Sequence, residues 1–372
     1  MDVDADRSEF EAWLILLRTP GIGPAALHEA LGRHGRAQAA LAAARRGDLG
    51  RADNDAARAW LRAPDLERIE ADLAWLATAE HALLTFNNAD FPPLLHEMPA
   101  PPAALFVAGD VGALWRPQIA IVGSRQASQA GVANALAFTR ALVAAGFAIT
   151  SGLAEGIDGA AHAAALDAGG HTVAVLGTGP DRVYPSRHHE LAARVRGRGA
   201  LVSEFPPGTA GHPTHFPRRN RVIAGLSVAT LVIEAGLRSG SLITARNAAE
   251  SGRDVFALPG SIHNPLARGC HQLIRQGARL VESADEIIAE LAPQAQGLCA
   301  QLRERLPPTA EVRPALEPEY AAVLAALGHD ALGLDQLAVR TALPVATLSS
   351  MLLMLELDGE IVATGGAYAR RV

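Results

Sequence analysis

The chain has 372 residues, of which 49% are hydrophobic and 19% charged, so it is long enough for two or three domains and can bury a sizeable core. Its formal net charge of −6 excludes a protein that is basic throughout, and the lack of lysine excludes a P-loop lysine and a lysine Schiff base. The sequence predicts a cytoplasmic protein without a membrane span. Its two cysteines lack metal spacing, its N-terminus lacks the apolar core of a signal peptide, and it has no apolar run of about 18 residues.

Residues 1–85 are predicted to form a helical domain, because Phe10, Trp13 and Leu14 recur at helical spacing. The segment 19–24, Thr-Pro-Gly-Ile-Gly-Pro, ends the first helix. A Gly-x-Gly turn between short helices is either a helix-hairpin-helix, whose amides bind a DNA phosphate, or a plain turn in a helical bundle. Because the pattern occurs once, we favour the plain turn.

Residues 86–291 are predicted to form a Rossmann-like domain. After a proline-rich connector at 90–118, apolar runs typical of strands occur at 119–122, 147–150, 172–176, 200–203, 229–233 and 254–258. Helical segments lie between them, for example at 131–145 and 158–168. Continuous apolar strands that alternate with helices indicate an α/β fold with a doubly wound parallel sheet, buried on both faces.

A linker is predicted at 292–316, followed by a C-terminal winged helix at 317–372. The pattern there is three helices, at about 320–327, 334–340 and from 344 onward, and then a hairpin at 361–368. The would-be recognition helix, 344–356, contains no arginine, although a reader of the DNA major groove needs cations and hydrogen-bond donors. We favour a protein contact over a DNA contact for this domain, and both alternatives stay open.

The carboxyl ends of the predicted strands mark the candidate site, because ligands bind at that edge of a doubly wound sheet. These ends are rich in glycine and hydroxyl groups: Gly123-Ser124-Arg125, Ser151-Gly152, Gly177-Thr178-Gly179, Ser203-Glu204 and Glu234-Ala235-Gly236. The loops after the first and fifth strands lead into helix N-termini, so we expect this edge to hold two or more anions. Neither Gly-x-Gly-x-x-Gly nor a P-loop pattern occurs, so no cofactor is predicted.

Titratable groups near this edge give little indication of catalysis. His162, His188 and His189 have no partner at metal-ligand spacing, so no metal site is predicted. Glu155 and Asp158 are close enough in sequence for an acid–base pair. We interpret Asp158 instead as the cap of the helix that follows.

The segment 215–221, His-Phe-Pro-Arg-Arg-Asn-Arg, is the most informative part of the chain. It places three guanidinium groups within four residues, beside an aromatic ring and an imidazole, and a loop of small residues follows at 239–245. Between residues 215 and 253, six arginines and two glutamates give a local charge of +4 in an acidic chain. Guanidinium groups and exposed amides bind phosphate, so a nucleotide or a polynucleotide is the expected ligand.

These motifs, in this order, resemble the DNA-processing protein A family, also called DprA or Smf. The resemblance covers about residues 85–290 and is carried by the segments 121–125, 151–158 with His162, 177–185, 203–208, 215–221, 240–245 and 259–274. It implies a single-stranded DNA-binding protein of natural transformation that protects incoming strands, helps to load the RecA recombinase and forms a homodimer through its Rossmann-like domain. It also implies that the N-terminal helices resemble a sterile alpha motif. The family often has arginine where this chain has Glu155, so no DNA contact is predicted from that position.

We therefore predict binding without catalysis. Arginines, hydroxyls and amides would hold phosphates, His215 or Phe216 would stack on a base, and Asn220 would either read a base edge or cap a turn. The predicted DNA-binding residues are Gly123, Ser124, Arg125, Ser151, Gly152, His215, Phe216, Arg218, Arg219, Asn220, Arg221, Gly240, Ser241 and Thr244.

The alternative is an enzyme, a nucleotide-cleaving phosphoribohydrolase of the lysine-decarboxylase-like group. Its Pro-Gly-Gly-x-Gly-Thr-x-x-Glu pattern follows a strand much as residues 234–241 do here. This chain lacks the Gly-Gly-x-Gly-Thr core, and the next acid after Thr244 is Glu250. Glycosidic chemistry would therefore have no evident general base.

Overall fold

The computed structural model describes residues 3–48, 54–305, 318–327, 331–358, 360–364 and 366–370. The N-terminal part consists of helices α1 (Val3–Arg18), α2 (Pro24–His34), α3 (Ala37–Arg45), α4 (Asp55–Arg62) and α5 (Leu66–Leu76). Trp13 and Leu14 are buried in the core that these helices share, as the helical spacing predicts. The turn between α1 and α2 needs glycine, since Gly21 has a φ of +81°. Pro24 opens α2, where a missing N–H costs nothing.

The central sheet has its strands in the order β1-β2-β6-β5-β4-β3-β7-β8-β9. Its strands are β1 (His81–Thr85), β2 (Ala104–Gly109), β3 (Gln118–Gly123), β4 (Ala148–Ser151), β5 (Thr172–Leu176), β6 (Ala200–Ser203), β7 (Ala229–Ile233), β8 (Asp254–Ala257) and β9 (Arg279–Leu280). Strands β3 to β9 pair in parallel, with Gly123 opposite Ile233. The doubly wound fold predicted from the sequence is confirmed.

Strands β1 and β2 were not predicted. β1 falls at the end of the predicted helical domain 1–85 but belongs to the central sheet, and β2 falls in the proline-rich segment 90–118 that suggested an irregular connector. β2 pairs antiparallel with both β1 and β6, which places Phe106 opposite Ser203. All six residues of β2 are buried. The prolines lie before this strand, where the short helix α6 (Pro93–His96) forms.

Helices cover both faces of the sheet. Along β3, Ile119 and Ile121 face one core, whereas Ala120 and Val122 face the other, as the two-residue repeat of a strand requires. The first core is covered by α7 (Gln129–Ala144), α8 (Ile157–Asp167) and α13 (Ala284–Arg305), and α9 (His189–Arg198) packs beside α8. The second is covered by α10 (His215–Leu226), α11 (Ser241–Glu250) and α12 (Arg268–Arg275).

The predicted linker at 292–316 differs from the structure in its first half. Helix α13 continues through Pro293 as far as Arg305. A proline inside a helix removes one backbone hydrogen bond, but the burial of Leu291 and Ala295 in the sheet core holds the helix together on both sides of it. The rest of the predicted linker lies outside the described residues.

The C-terminal part has the elements of a winged helix. They are α14 (Pro318–Leu327), β10 (Leu332–Gly333), α15 (Leu334–Thr341), α16 (Val345–Leu357), β11 (Ile361–Thr364) and β12 (Ala367–Arg370). The would-be recognition helix, α16, packs against α13, and its Leu353 is part of the sheet core. No helix in the described ranges is by itself long and apolar enough to cross a membrane, and the bent pair α15–α16 meets that test only jointly, by length and composition.

Candidate nucleic-acid interface

A groove of about 810 Å³ lies at the carboxyl ends of β3 and β7, and we call it the central groove. The loop after β3, the first turns of α10 and the loop that leads into α11 form its walls. Its lining includes Gly123, Ser124, Arg125, Tyr184, Phe216, Arg219, Asn220, Arg238, Gly240, Ser241 and Thr244. The structure thus brings most of the predicted site residues together at the expected edge of the sheet.

The loop after β3 presents a cation to this groove. A Cβ on Gly123 would lie 1.9 Å from the carbonyl oxygen of Ile233, so the close pairing of β3 with β7 requires glycine there. Ser124 is almost buried, and its hydroxyl accepts a hydrogen bond from the Gln126 amide at 3.1 Å. Arg125 is exposed, and its guanidinium carbon lies 5.6 Å from the centre of the Phe216 ring. Arg125 therefore stays available to a ligand.

The three arginines of α10 do not act as one cluster, because residues on a helix point in directions about 100° apart. Arg218 and Arg221 are three residues apart and share the face toward Glu204, with Arg218 Nε 3.8 Å from the carboxylate and Arg221 ion-paired to it. Arg221 also donates to the carbonyl of Ala100. Burial raises the pKa of Glu204 and lowers the pKa of Arg221. The prediction that Arg221 faces a phosphate is thus corrected, since it serves a buried carboxylate.

Arg219 is also used internally. It is 5% exposed, and it donates hydrogen bonds to the carbonyls of Gly152 and Val175. Burial lowers the pKa of this guanidinium to about 10. Of the three α10 arginines, Arg218 is the one with a substantially exposed side chain, at 41%. Arg219 holds strand ends together rather than projecting toward solvent.

The end of β4 supplies scaffold rather than free donors. The Ser151 hydroxyl is fully buried and donates to the Ile121 carbonyl at 2.6 Å. The Gly152 amide donates to Asp158 Oδ2 at 3.1 Å. The expected ligand contacts from Ser151 and Gly152 are therefore corrected, because these donors already have partners.

Asp158 does not cap its helix, as the sequence had suggested. Gly156 occupies the N-cap of α8, and Asp158, in the first turn, accepts hydrogen bonds from the Gly152 and Ala154 amides. Burial raises the pKa of Asp158, and the nearby Arg219 opposes that rise. Glu155 pairs with Arg187 at 2.9 Å, whereas Asp158 is held by two backbone amides, so the two carboxylates have separate partners and do not form an acid–base pair.

The two helix N-termini at this edge differ. The Glu234 carboxylate occupies the start of α7, where it accepts from the Ser128 amide at 2.8 Å and the Ser128 hydroxyl at 2.5 Å. The start of α11, at Gly240 and Ser241, lines the central groove. One of the two anions expected from the sequence is thus the protein's own side chain.

The loop before α11 is fastened to α10. Asn220 Nδ2 donates to the Gly240 carbonyl at 3.1 Å, and Asn220 Oδ1 accepts from Arg219 Nε at 3.1 Å. Asn220 therefore fastens the loop, with its side-chain oxygen and one of its amide N–H groups paired inside the protein. Ser241 and Thr244 are nearly buried in the groove lining.

The two predicted stacking residues have different surroundings. His215 stacks on Phe205, with ring centres 4.1 Å apart and planes inclined by 21°. Phe216 lines the groove, and its ring centre lies 5.5 Å from that of Tyr184, which is 54% exposed. Tyr184 and Arg238 were missed as site residues. Tyr184 comes from a loop distant in sequence, whereas Arg238 directly precedes the predicted loop at 239–245. Arg238, which is exposed, was counted only toward the local charge.

No group of three or more residues able to hold a metal ion occurs among the residues that the structure describes. His162 is fully buried, its Nδ1 lies 2.7 Å from the Thr172 hydroxyl, and burial lowers its pKa to about 3. His162 is thus a neutral core histidine.

The family described as DNA recombination-mediator protein A matches residues 82–292, more than half of the chain. A DprA-like N-terminal HHH domain matches residues 7–72, and a DprA winged helix domain matches residues 307–367. The chain therefore belongs to the DprA/Smf family of DNA-processing proteins, as its motifs predicted. The HHH description favours a helix-hairpin-helix for the turn at 19–24, contrary to our preference for a plain turn.

Individual relatives agree with this assignment. Protein Smf of Escherichia coli (strain K12) is 44% identical over 310 residues, which cover 81% of this chain and 80% of that protein. DNA processing protein DprA of Streptococcus pneumoniae is 46% identical over 196 residues, covering 53% and 69%.

Two solved structures resemble the fold. The X-ray structure of DNA processing protein A from Streptococcus pneumoniae aligns with a TM-score of 0.67 at 34% identity and covers 75% of this chain and 97% of that chain. A structure of DNA processing protein A from Helicobacter pylori, which is described by its unique single-stranded DNA binding mode, has a TM-score of 0.52 at 27% identity and covers 57% and 96%.

Proposed function

We propose that this protein binds single-stranded DNA in the central groove, without catalysis, and so protects incoming strands in natural transformation and helps to load RecA on them. One observation carries the proposal: Arg125 and Arg238 line the groove, both are exposed, and neither has a hydrogen bond or an ion pair within the described part of the chain. Free guanidinium groups beside a groove are suited to phosphate oxygens. The single-stranded DNA binding of the Helicobacter pylori relative supports the same ligand.

The groove also offers contacts to bases. Phe216 and Tyr184 lie side by side at its rim, and aromatic rings stack on any base, contributing about 1–3 kcal/mol per base. Backbone contacts through arginine combined with stacking give binding that tolerates any sequence. Unstacked bases are accessible in a single strand and not in a duplex, so we expect single strands to bind more tightly.

The geometry gives little support to the phosphoribohydrolase alternative. Among the described residues, Asp158 is the acidic residue that lines the groove. It is buried, and two backbone amides donate hydrogen bonds to its carboxylate and hold it in place. A hydrolase needs a base that reaches an attacking water. Incubation with nucleoside monophosphates would release free base if the enzyme hypothesis were correct, and we expect none.

A homodimer would place two such grooves on one strand. Each groove would then raise the effective concentration of the strand at the other, which tightens binding without new contacts. We propose this arrangement for the protein.

The experiment measures fluorescence anisotropy of labelled single- and double-stranded oligonucleotides across a salt series. Arg125→Ala should weaken single-strand binding about tenfold at low salt and reduce the slope of log K against log salt by about 0.7, the share of one phosphate. Arg140→Ala is the matched control, because Arg140 is an exposed arginine of α7 that does not line the groove. Equal affinities of wild type and Arg125→Ala would refute the assignment, and equal affinity for duplex and single strand would refute the preference.

A further inference from the structure

A smaller pocket of about 210 Å³ adjoins the central groove, and we call it the side pocket. It shares Arg125, Tyr184 and Phe216 with the groove. Gly177 belongs to its wall, and a Cβ there would come within 2.8 Å of the Phe216 ring, so the aromatic ring packs directly on bare backbone. A small pocket with aromatic walls beside a phosphate-binding groove has the form of a site for one base.

A carboxylate also lines this pocket. Glu155 is 36% exposed along its side chain, and its Oε1 lies 2.9 Å from Arg187 Nη2. No hydrogen bond to its Oε2 is found in the described ranges. A carboxylate repels a phosphate backbone, and Arg187 offsets that repulsion here. What remains available is a hydrogen-bond acceptor at the wall of the pocket.

An acceptor in that place distinguishes the bases. Cytosine and adenine present amino hydrogens, and guanine presents an amino group beside a ring N–H, whereas thymine presents carbonyl oxygens on either side of a single N–H. A carboxylate accepts hydrogen bonds from amino groups and repels carbonyl oxygens.

We propose that Glu155 is a specificity-determining residue: the side pocket takes one base of the bound strand, and Glu155 favours a base with an amino group over thymine. This rests on the proposed function, because it requires a single strand in the central groove. The plainer interpretation is that Glu155 and Arg187 form only a surface ion pair, which contributes little to the protein.

The test compares oligo(dC) with oligo(dT) of equal length at pH 8 by anisotropy, because two pyrimidines stack similarly and differ at the amino group. The wild type should bind oligo(dC) about fivefold more tightly, in keeping with the discrimination of one base contact. Glu155→Ala should bring the ratio of the two dissociation constants close to one. Glu155→Gln should do the same, because its amide offers a donor to thymine as well as an acceptor to cytosine.

Two control variants test whether the preference for oligo(dC) comes from the Glu155 carboxylate itself, from its ion pair with Arg187 or from negative charge in general. Arg187→Ala breaks the ion pair but keeps the carboxylate, so it should retain the preference for oligo(dC). Glu190→Gln removes an equal charge from an exposed position on α9 and should retain it as well. Both positions are exposed, so thermal unfolding should match that of the wild type for each variant.

Each result has one meaning. Binding of oligo(dC) and oligo(dT) with equal affinity by the wild type would overturn the inference and leave the proposed function standing. The same holds for a ratio that Glu155→Ala leaves unchanged, and for a ratio that Arg187→Ala abolishes. Failure of the wild type to bind either oligonucleotide would overturn the proposed function, and the inference with it.

Discussion

The change Arg221→Ala separates a structural arginine from a DNA-binding one. The Glu204 side chain is 3% exposed and the Arg221 side chain 16%, so the pair is buried. Removing one partner of a buried pair leaves an uncompensated charge and costs about 3–5 kcal/mol. Arg218 Nε stays 3.8 Å from Glu204 and compensates in part. We therefore expect the lower end, a loss of about 3 kcal/mol in the free energy of unfolding.

The assay is urea denaturation followed by circular dichroism at several pH values. Burial already raises the pKa of Glu204, and loss of Arg221, which opposes that rise, raises it further. A protonated carboxyl needs no cation, so the stability lost in Arg221→Ala should shrink as the pH falls through the folded-state pKa of Glu204. Adding Glu204→Gln to Arg221→Ala should recover part of the loss at neutral pH.

The control is Arg125→Ala, which changes an exposed arginine and should leave the urea midpoint unchanged. If Arg221→Ala unfolds at the wild-type urea concentration yet loses single-strand binding, the reasoning fails. Arg221 would then contact DNA, as the sequence had suggested, and its pairing with Glu204 would be incidental.

Two further predictions concern the scaffold of the site. Gly123→Ala should lower the free energy of unfolding by about 3 kcal/mol or prevent folding, because its Cβ would meet the Ile233 carbonyl. The control is Gly240→Ala, which should unfold like the wild type because its Cβ meets nothing within 4 Å. Burial lowers the pKa of His162 from 6.5 to about 3, so the unfolded chain binds a proton that the folded chain does not. The contribution of the neutral His162 to the free energy of unfolding is complete above pH 6.5. It is lost as the pH falls, by about 4 kcal/mol at pH 3. His162→Gln should flatten this pH dependence in urea titrations between pH 7 and 4, and an unchanged dependence would place the buried titration elsewhere.

The sequence predicts the parallel strands well because each is a continuous apolar run that needs no information from distant residues. β2 is apolar in the same way, but its partner β6 lies about a hundred residues away, and the prolines nearby masked the pattern. The arginines of α10 were predicted to act together because they are adjacent in sequence. A helix separates their directions, and Glu204, a buried acid from another loop, pairs with Arg221 and lies within 3.8 Å of Arg218. Such long-range pairing leaves no local signal.

The docking of α16 has a consequence for any shortened form of this protein. A Cβ on Gly146, just after α7, would lie 3.0 Å from the sulfur of Met354 and 3.1 Å from the side chain of Leu357, so the end of α7 and α16 fit closely. A hydrogen bond from Gln296 of α13 to the Tyr368 hydroxyl joins α13 to β12 as well. Removal of the C-terminal winged helix would expose apolar surface on α7 and α13. Poor solubility of such a truncated chain would then reflect that bare surface and give no information about DNA.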